Sequence, residues 1–256
     1  MSLRRKPAFR RTSETGSVKA SLYAYPDRDL EKDYIIWNSI NGIKVGQCRH
    51  ENTRQLVIVQ EVKRISVSQF SRVLRIFHEN IASPIFLYKS HIIYEFVDLD
   101  IVDVLPLSQP EIANAMAQAM SAVYAALEET LTFRIDTVRI SHLGVVKLIL
   151  GWNFEGSVDK AIFNANIGYL AMYLAETMDV MGKSLLEWDQ NGRSFRSILC
   201  SGKIPALEHP FLGERKRGSI LLKPTLFAMR KALHAPLSNW SSMSEHGKGA
   251  TAPSHS

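Results

Sequence analysis

Residues able to do chemistry are sparse in this chain and poorly spaced for most of it. Its eight histidines, at 50, 78, 91, 142, 209, 234, 246 and 255, are scattered, and none pairs with another at the spacing that sets two ligands on one helix face. Cys48 and Cys200 stand far apart with no metal-ligand spacing. A zinc centre is therefore not indicated, and two lone thiols suit a reducing compartment. The run Leu56 to Lys63 carries Gln60 and Lys63, whose three-residue separation points them to opposite faces of a strand. Trp37, Trp152, Trp188 and Trp240 form no binding pattern.

Short strands must position whatever site exists in the first half. Tyr34 to Trp37, Ile43 to His50, Leu56 to Lys63, Pro84 to Lys89 and His91 to Val97 are rich in β-branched or aromatic residues. Glu51 to Arg54 and Lys89-Ser90 supply the corners. One helix interrupts the series: Ser66 to Gln69 forms a capping box, and Phe70, Val73, Leu74 and Phe77 share one face. The second half is helical. Ser108 to Glu111 is another capping box with proline in the first turn, and Ile112, Met116, Met120, Val123, Tyr124 and Leu127 make the stripe of a helix ending near Glu129. The methionines of that stripe read as core filler. A small hairpin follows over Thr137 to Ser141 and Val145 to Leu150, turning at His142-Leu143-Gly144. From Ala161 to Met178 the chain is apolar nearly all round, which predicts a helix buried on every side by neighbours such as Phe195 to Leu199, Ile204 to Leu212 and Leu221 to Leu233.

With 256 residues, 46% of them hydrophobic, the chain can bury a substantial core. Neither a bilayer-spanning run nor a secretory signal is evident, which suggests a cytoplasmic or nuclear, intracellular protein. The net charge of +6 is concentrated in part in a basic arm with Arg4, Arg5, Lys6, Arg10 and Arg11. With no aromatics usefully interleaved among the basic residues, that arm reads as a solvated tail rather than a nucleic-acid or lipid contact. Residues 1–32 and 235–256 read as disordered, and no repeat is visible between them.

The order of these elements resembles a eukaryotic protein kinase over about residues 33 to 234. Val45 matches the valine above the adenine, and Leu56 to Lys63 is similar to the lysine strand. His78-Glu79-Asn80-Ile81 resembles the motif after the regulatory helix, and Tyr94-Glu95-Phe96-Val97 resembles gatekeeper and hinge. Ile140 to Leu148 is similar to the strand pair that precedes the metal-binding aspartate. Leu207-Glu208-His209-Pro210-Phe211-Leu212 is similar to a segment near the end of p21-activated-kinase-like domains, including degenerate fungal versions. The resemblance implies an α+β bilobal fold: residues 33–98 as a five-stranded antiparallel lobe with one helix, residues 99–234 as a mainly helical lobe. In that context His78 and His209 are structural.

The same resemblance implies that phosphotransfer chemistry is missing. Phosphoryl transfer needs a glycine loop, a lysine paired to a helix glutamate, a catalytic aspartate with its asparagine, and a magnesium-binding aspartate. Counted from the matched motifs, the glycine positions fall at Asn38, Ile40 and Ile43, with Gly42 out of step. The lysine becomes Gln60 and the glutamate Gln69, only nine positions later, which implies a helix shortened at its start. Leu131 to Thr137 stands where the catalytic loop should be, with Asp136 beside the asparagine position Thr137. The metal aspartate becomes Leu150, which cannot ligate magnesium. Asn166 replaces the aspartate that opens the buried helix, and Cys200 stands near the position of an arginine. A nucleotide cleft would be lined by Ile40, Val45, Ile58, Tyr94, Glu95 and Val97, with Ile58 intruding on the adenine slot. The resemblance thus implies a pseudokinase-like module without cofactor, working through a protein partner such as an active kinase or a small GTPase system. The alternative is a divergent Ser/Thr kinase that binds ATP and Mg weakly and uses Lys63 and Asp136.

Overall fold

The computed structural model describes residues 23–40, 43–49, 55–62, 65–128, 131–141, 143–153 and 159–213. The fold is α+β. A six-stranded sheet runs in the order β1-β5-β6-β4-β3-β2, from Ala24–Tyr25 (β1), Tyr34–Ile40 (β2), Ile43–Cys48 (β3), Leu56–Glu61 (β4), Pro84–Tyr88 (β5) and His91–Glu95 (β6). Five of its strands, β2 to β6, fall on the strand runs of the sequence and pair antiparallel. β1 adds a parallel sixth, pairing Ala24 with Leu87 and Tyr25 with Tyr88. A second sheet joins Leu99–Asp100 (β7), Thr132–Ile140 (β8) and Val146–Asn153 (β9) in that order.

Five helices are present among the described residues: Val67–Val73 (α1), Gln109–Leu127 (α2), Lys160–Met181 (α3), Gln190–Cys200 (α4) and Pro210–Gly213 (α5). None is long and apolar enough to cross a membrane. Both predicted capping boxes form. Ser66 Oγ accepts from Gln69 N while Gln69 Oε1 accepts from Ser66 N at 2.8 Å, and Glu111 closes the corresponding box on Ser108. Ile112, Met116, Met120 and Val123 are fully buried along α2, in one continuous core shared by both sheets, α1, α2, α3 and α4.

Several expectations need correction. Residues 23–32 do not behave as a tail: Leu30 is buried, and with Tyr34, Val57, Val59, Tyr88 and Ile93 it forms a second small core on the outer face of the large sheet. Asp33 holds this segment, accepting from Tyr88 Oη at 2.7 Å and pairing with Arg28. Phe77 is not on the helix, because α1 ends at Val73, and its ring is 88% exposed. Nor is α3 buried all round: Leu170, Leu174 and Met178 are buried, whereas Ile162, Tyr169 and Met172 are half exposed. Leu221 to Leu233, expected to cover that helix, lies outside the described residues, as do the basic arm at 4–11 and the tail at 235–256. The hairpin is longer than expected, since Leu131 to Thr137 is mostly strand rather than loop. Phe133 and Ile135 point inward there with the alternation of a half-buried strand, and β9 supplies the ladder.

A candidate site sealed by its own side chains

Two strands from different sheets bring the site together. On β4, Ile58 pairs with Tyr94 of β6 and Gln60 with Ile92, so Ile58, Gln60 and Tyr94 occupy one face. On β8, Ile135 opposes Leu150 and Thr137 opposes Ile149, which leaves Asp136 as the extra residue of a β-bulge. Such a bulge re-aims a side chain that the regular pleat would send elsewhere. Here it directs Asp136 to Gln60, whose Nε2 donates to Asp136 Oδ2. Arg134 Nε donates to the other carboxylate oxygen at 2.5 Å, which raises the guanidinium pKa.

Tyr94 completes the cluster. Its hydroxyl lies 2.9 Å from Gln60 Oε1 and 3.1 Å from the Leu150 carbonyl, and its one proton serves both. Burial pushes the phenol pKa far up, and the Asp136 charge adds to it, so Tyr94 is a neutral donor at any physiological pH. Trp152, tilted at 53° against Phe133 with ring centroids 5.5 Å apart, buries its indole N–H without a hydrogen-bond acceptor among the described residues. Gly151 makes room beneath: a Cβ there would sit 2.7 Å from Asp136 Oδ1 and 2.8 Å from Arg134 Nε. A glycine inside a strand often marks such a close approach.

The remaining predicted positions are also engaged. Glu95 accepts from Ser83 N at 2.8 Å and pairs with Lys147 Nζ at 2.6 Å. Val97 is buried, and its carbonyl accepts from Arg139 Nε at 2.9 Å. Burial lowers the Arg139 pKa, opposed by Asp100 across 3.9 Å. Thr137 Oγ1 donates to Asp100 Oδ2 at 3.2 Å. Gln69 spends its side chain on the α1 cap, and Val45 opposes the buried Ile58 across β3 and β4. Ile40 belongs to β2, but its side chain, like Lys63, lies outside the described residues. Thus Gln60, Asp136, Tyr94 and the Leu150 backbone come together, while Gln69 is committed at a different place.

Asn166 has a clear task. From α3 it clamps β8, its Nδ2 donating to Phe133 O at 2.6 Å and its Oδ1 accepting from Phe133 N at 3.4 Å. Cys200 is a free, exposed thiol. His78 bridges Asn80 N and Ser121 Oγ, and His209 accepts from Phe211 N beside Phe195, so both are satisfied structural groups. Beside the cluster lies a cleft of about 280 Å³ whose lining includes Asp100, Asp136, Glu176, Thr137 and Tyr173. Burial, then Asp100 and Asp136, push the Tyr173 pKa up to about 12. Among the described residues no group of three or more His, Cys, Asp or Glu side chains is arranged to hold a metal ion.

The chain matches no family model and no curated protein. Its site must therefore be read from its own geometry. Sequence reasoning missed Arg134, Gly151 and Arg139 as parts of it. The glycine interrupting Val146 to Asn153 was the available signal for the second; nothing in spacing alone marks the two arginines.

Proposed function

We propose that this chain is a catalytically inactive protein-kinase-like module, a pseudokinase, that acts through its surfaces as a regulatory scaffold. Five antiparallel strands interrupted by one short helix, then a long helix, a hairpin and an apolar helix, support a bilobal reading with residues 33–98 and 99–234 as the lobes. One observation carries the functional part: Gln60, at the position of the family's lysine, is bonded at once to Asp136 and to Tyr94. Groups that would meet a triphosphate are satisfied by one another.

ATP and magnesium do not fit this set. The amide of Gln60 brings no charge to offset phosphates. Ile58 is buried where the adenine would lie, and the Val97 carbonyl, a hinge acceptor, is taken by Arg139. At the metal position Leu150 offers only a backbone oxygen, already bonded to Tyr94. Three carboxylates, Asp100, Asp136 and Glu176, line the adjoining cleft, the wrong sign for a nucleotide. Asp136, as a base for a divergent Ser/Thr kinase, would have to leave both Gln60 and Arg134. The module's partner on this reading is another protein, an active kinase or a small GTPase system, in an intracellular setting.

A thermal-shift titration with Mg-ATP, run beside a radiolabelled phosphotransfer assay, tests the proposal. A ligand at 100 times its Kd would stabilise by about 2.7 kcal/mol, roughly 5–10 °C for a domain of this size. No such shift and no transferred label are expected. Saturable stabilisation, with turnover lost in Gln60→Ala or Asp136→Ala, would overturn it.

A further inference from the structure

β2 is an outer strand of the large sheet, paired only with β3 among the described strands. Natural edge strands are usually blunted by charge, proline or brevity. This one runs seven residues, Tyr-Ile-Ile-Trp-Asn-Ser-Ile, without a charged residue or a proline; its ladder to β3 is regular over Tyr34 to Trp37 and shifts register before Ile40. Ile35 and Trp37, two apart and so on one face, are 39% and 46% exposed.

The hydrogen-bond phase of the strand is fixed by its start. Arg49 N donates to Asp33 O at 2.8 Å, and the register continues as Ile35 opposite Gln47 and Trp37 opposite Val45. Bonded pairs alternate in an antiparallel ladder, so Ile35 and Trp37 bond inward to β3. The N–H and C=O of Ile36 therefore point outward. Arg49 Nε covers the neighbouring Tyr34 carbonyl at 3.4 Å, which leaves Ile36 as the centre of the edge left unpaired among the described residues.

We propose that this edge is a self-association site: β2 of one molecule pairs antiparallel with β2 of a second copy, with Ile36 opposite Ile36 on the two-fold axis. That register exchanges both main-chain bonds of Ile36 with the second copy. It sets Ile35 of each molecule opposite Trp37 of the other, in the non-bonded pairs where side chains approach closest. Both exposed apolar side chains are covered by one symmetric contact. A second copy fits better than a charged peptide, because an uncharged strand meets an uncharged strand. A single pair of strands between two copies is a small contact beside the roughly 800 Å² per partner of a stable interface, so the dimer is concentration-dependent. Two molecules of net charge +6 repel, so added salt strengthens it. Edge pairing of this kind is independent of the pseudokinase reading.

Sedimentation equilibrium of the full chain from about 5 to 500 µM tests it by mass action. The weight-average mass rises toward twofold in the wild type and stays monomeric for Ile35→Lys or Trp37→Glu alone. It rises again for the two combined, because Lys at 35 then faces Glu at 37 of the second copy. Constant monomer mass across the range, association that survives both single substitutions, or a double variant that stays monomeric overturns the proposal. So does binding of an extended peptide by a chain that remains monomeric alone. Should the variants not fold, exchange of the Ile36 amide in the wild type decides it: at least tenfold slowing from the lowest to the highest concentration is expected, and an unchanged rate refutes the pairing.

Discussion

Replacing Gln60 by Leu, Asp136 by Ala, and both together, measures how much the side-chain link between the two sheets contributes. Gln60 is buried, its Nε2 donates to Asp136 and its Oε1 accepts from Tyr94. Asp136→Ala leaves that amide donor without its acceptor, a loss of about 1–3 kcal/mol for a buried unsatisfied group. Gln60→Leu is expected at the lower end, about 1 kcal/mol, since Tyr94 keeps the Leu150 carbonyl and Asp136 keeps Arg134. The double variant removes donor and acceptor together, so its loss falls short of the sum by about 1–2 kcal/mol of coupling. Urea unfolding followed by circular dichroism gives the three free energies, and each kcal/mol also moves Tm by about 2–4 °C. Additivity within about 0.5 kcal/mol would show that the two side chains do not interact and would remove the link on which the sealed site rests.

Gly151→Ala should destabilise by about 1–3 kcal/mol, because the new Cβ meets Asp136 and Arg134 inside 3 Å; in an Arg134→Ala background the thermal-melt penalty should shrink. Gln60→Lys should not confer Mg-ATP binding in a thermal-shift titration, since Arg139 still occupies the Val97 carbonyl and Leu150 is unchanged. Phe77→Ser should alter stability by less than about 0.5 kcal/mol, whereas Phe70→Ala, at a fully buried ring, should cost about 3–5 kcal/mol; equal effects in urea unfolding would contradict the end of α1 at Val73. Burial lowers the pKa of His209, so the folded state binds its proton less readily than the unfolded chain. Its contribution is full above the unfolded value near 6.5 and is lost as pH falls through the lowered folded value. His209→Gln should flatten that part of the stability profile, leaving the portion due to His91, whose pKa burial and Lys44 also lower.

Local patterns were legible wherever they recur within a few residues. The capping boxes at Ser66 and Ser108, the α2 stripe and the strand runs of the large sheet all needed only side-chain period and turn chemistry. Phe77 was misplaced because a helical repeat does not reveal where tertiary packing stops, and α1 ends four residues before it. Tyr23 to Lys32 looked like tail, since its polar composition hides that a few apolar and aromatic residues, Tyr25 and Leu30 among them, cover the outer sheet face. Residue types at the site were legible, but its connections were not. Asp136 reaches Gln60 only because a bulge inserts one residue into β8, and a bulge depends on the register of two strands rather than on either sequence alone.

The chemistry of the cluster explains why it can persist without a ligand. A lysine facing Asp136 in this buried setting would carry a desolvation cost repaid only by well-placed opposite charge. An amide has both donor and acceptor, and each finds a partner within the chain, Asp136 for one and Tyr94 for the other. The carboxylate of Asp136 sits at the partly exposed margin, where Arg134 pairs with it from solvent. Asn166 gives α3 the same neutrality, holding both backbone groups of Phe133 without bringing a charge into the helix interface. Gln60 and Asn166 thus each supply internal hydrogen bonds without bringing a formal charge into the interior. A seam satisfied in this way favours a fixed relation between the two sheets.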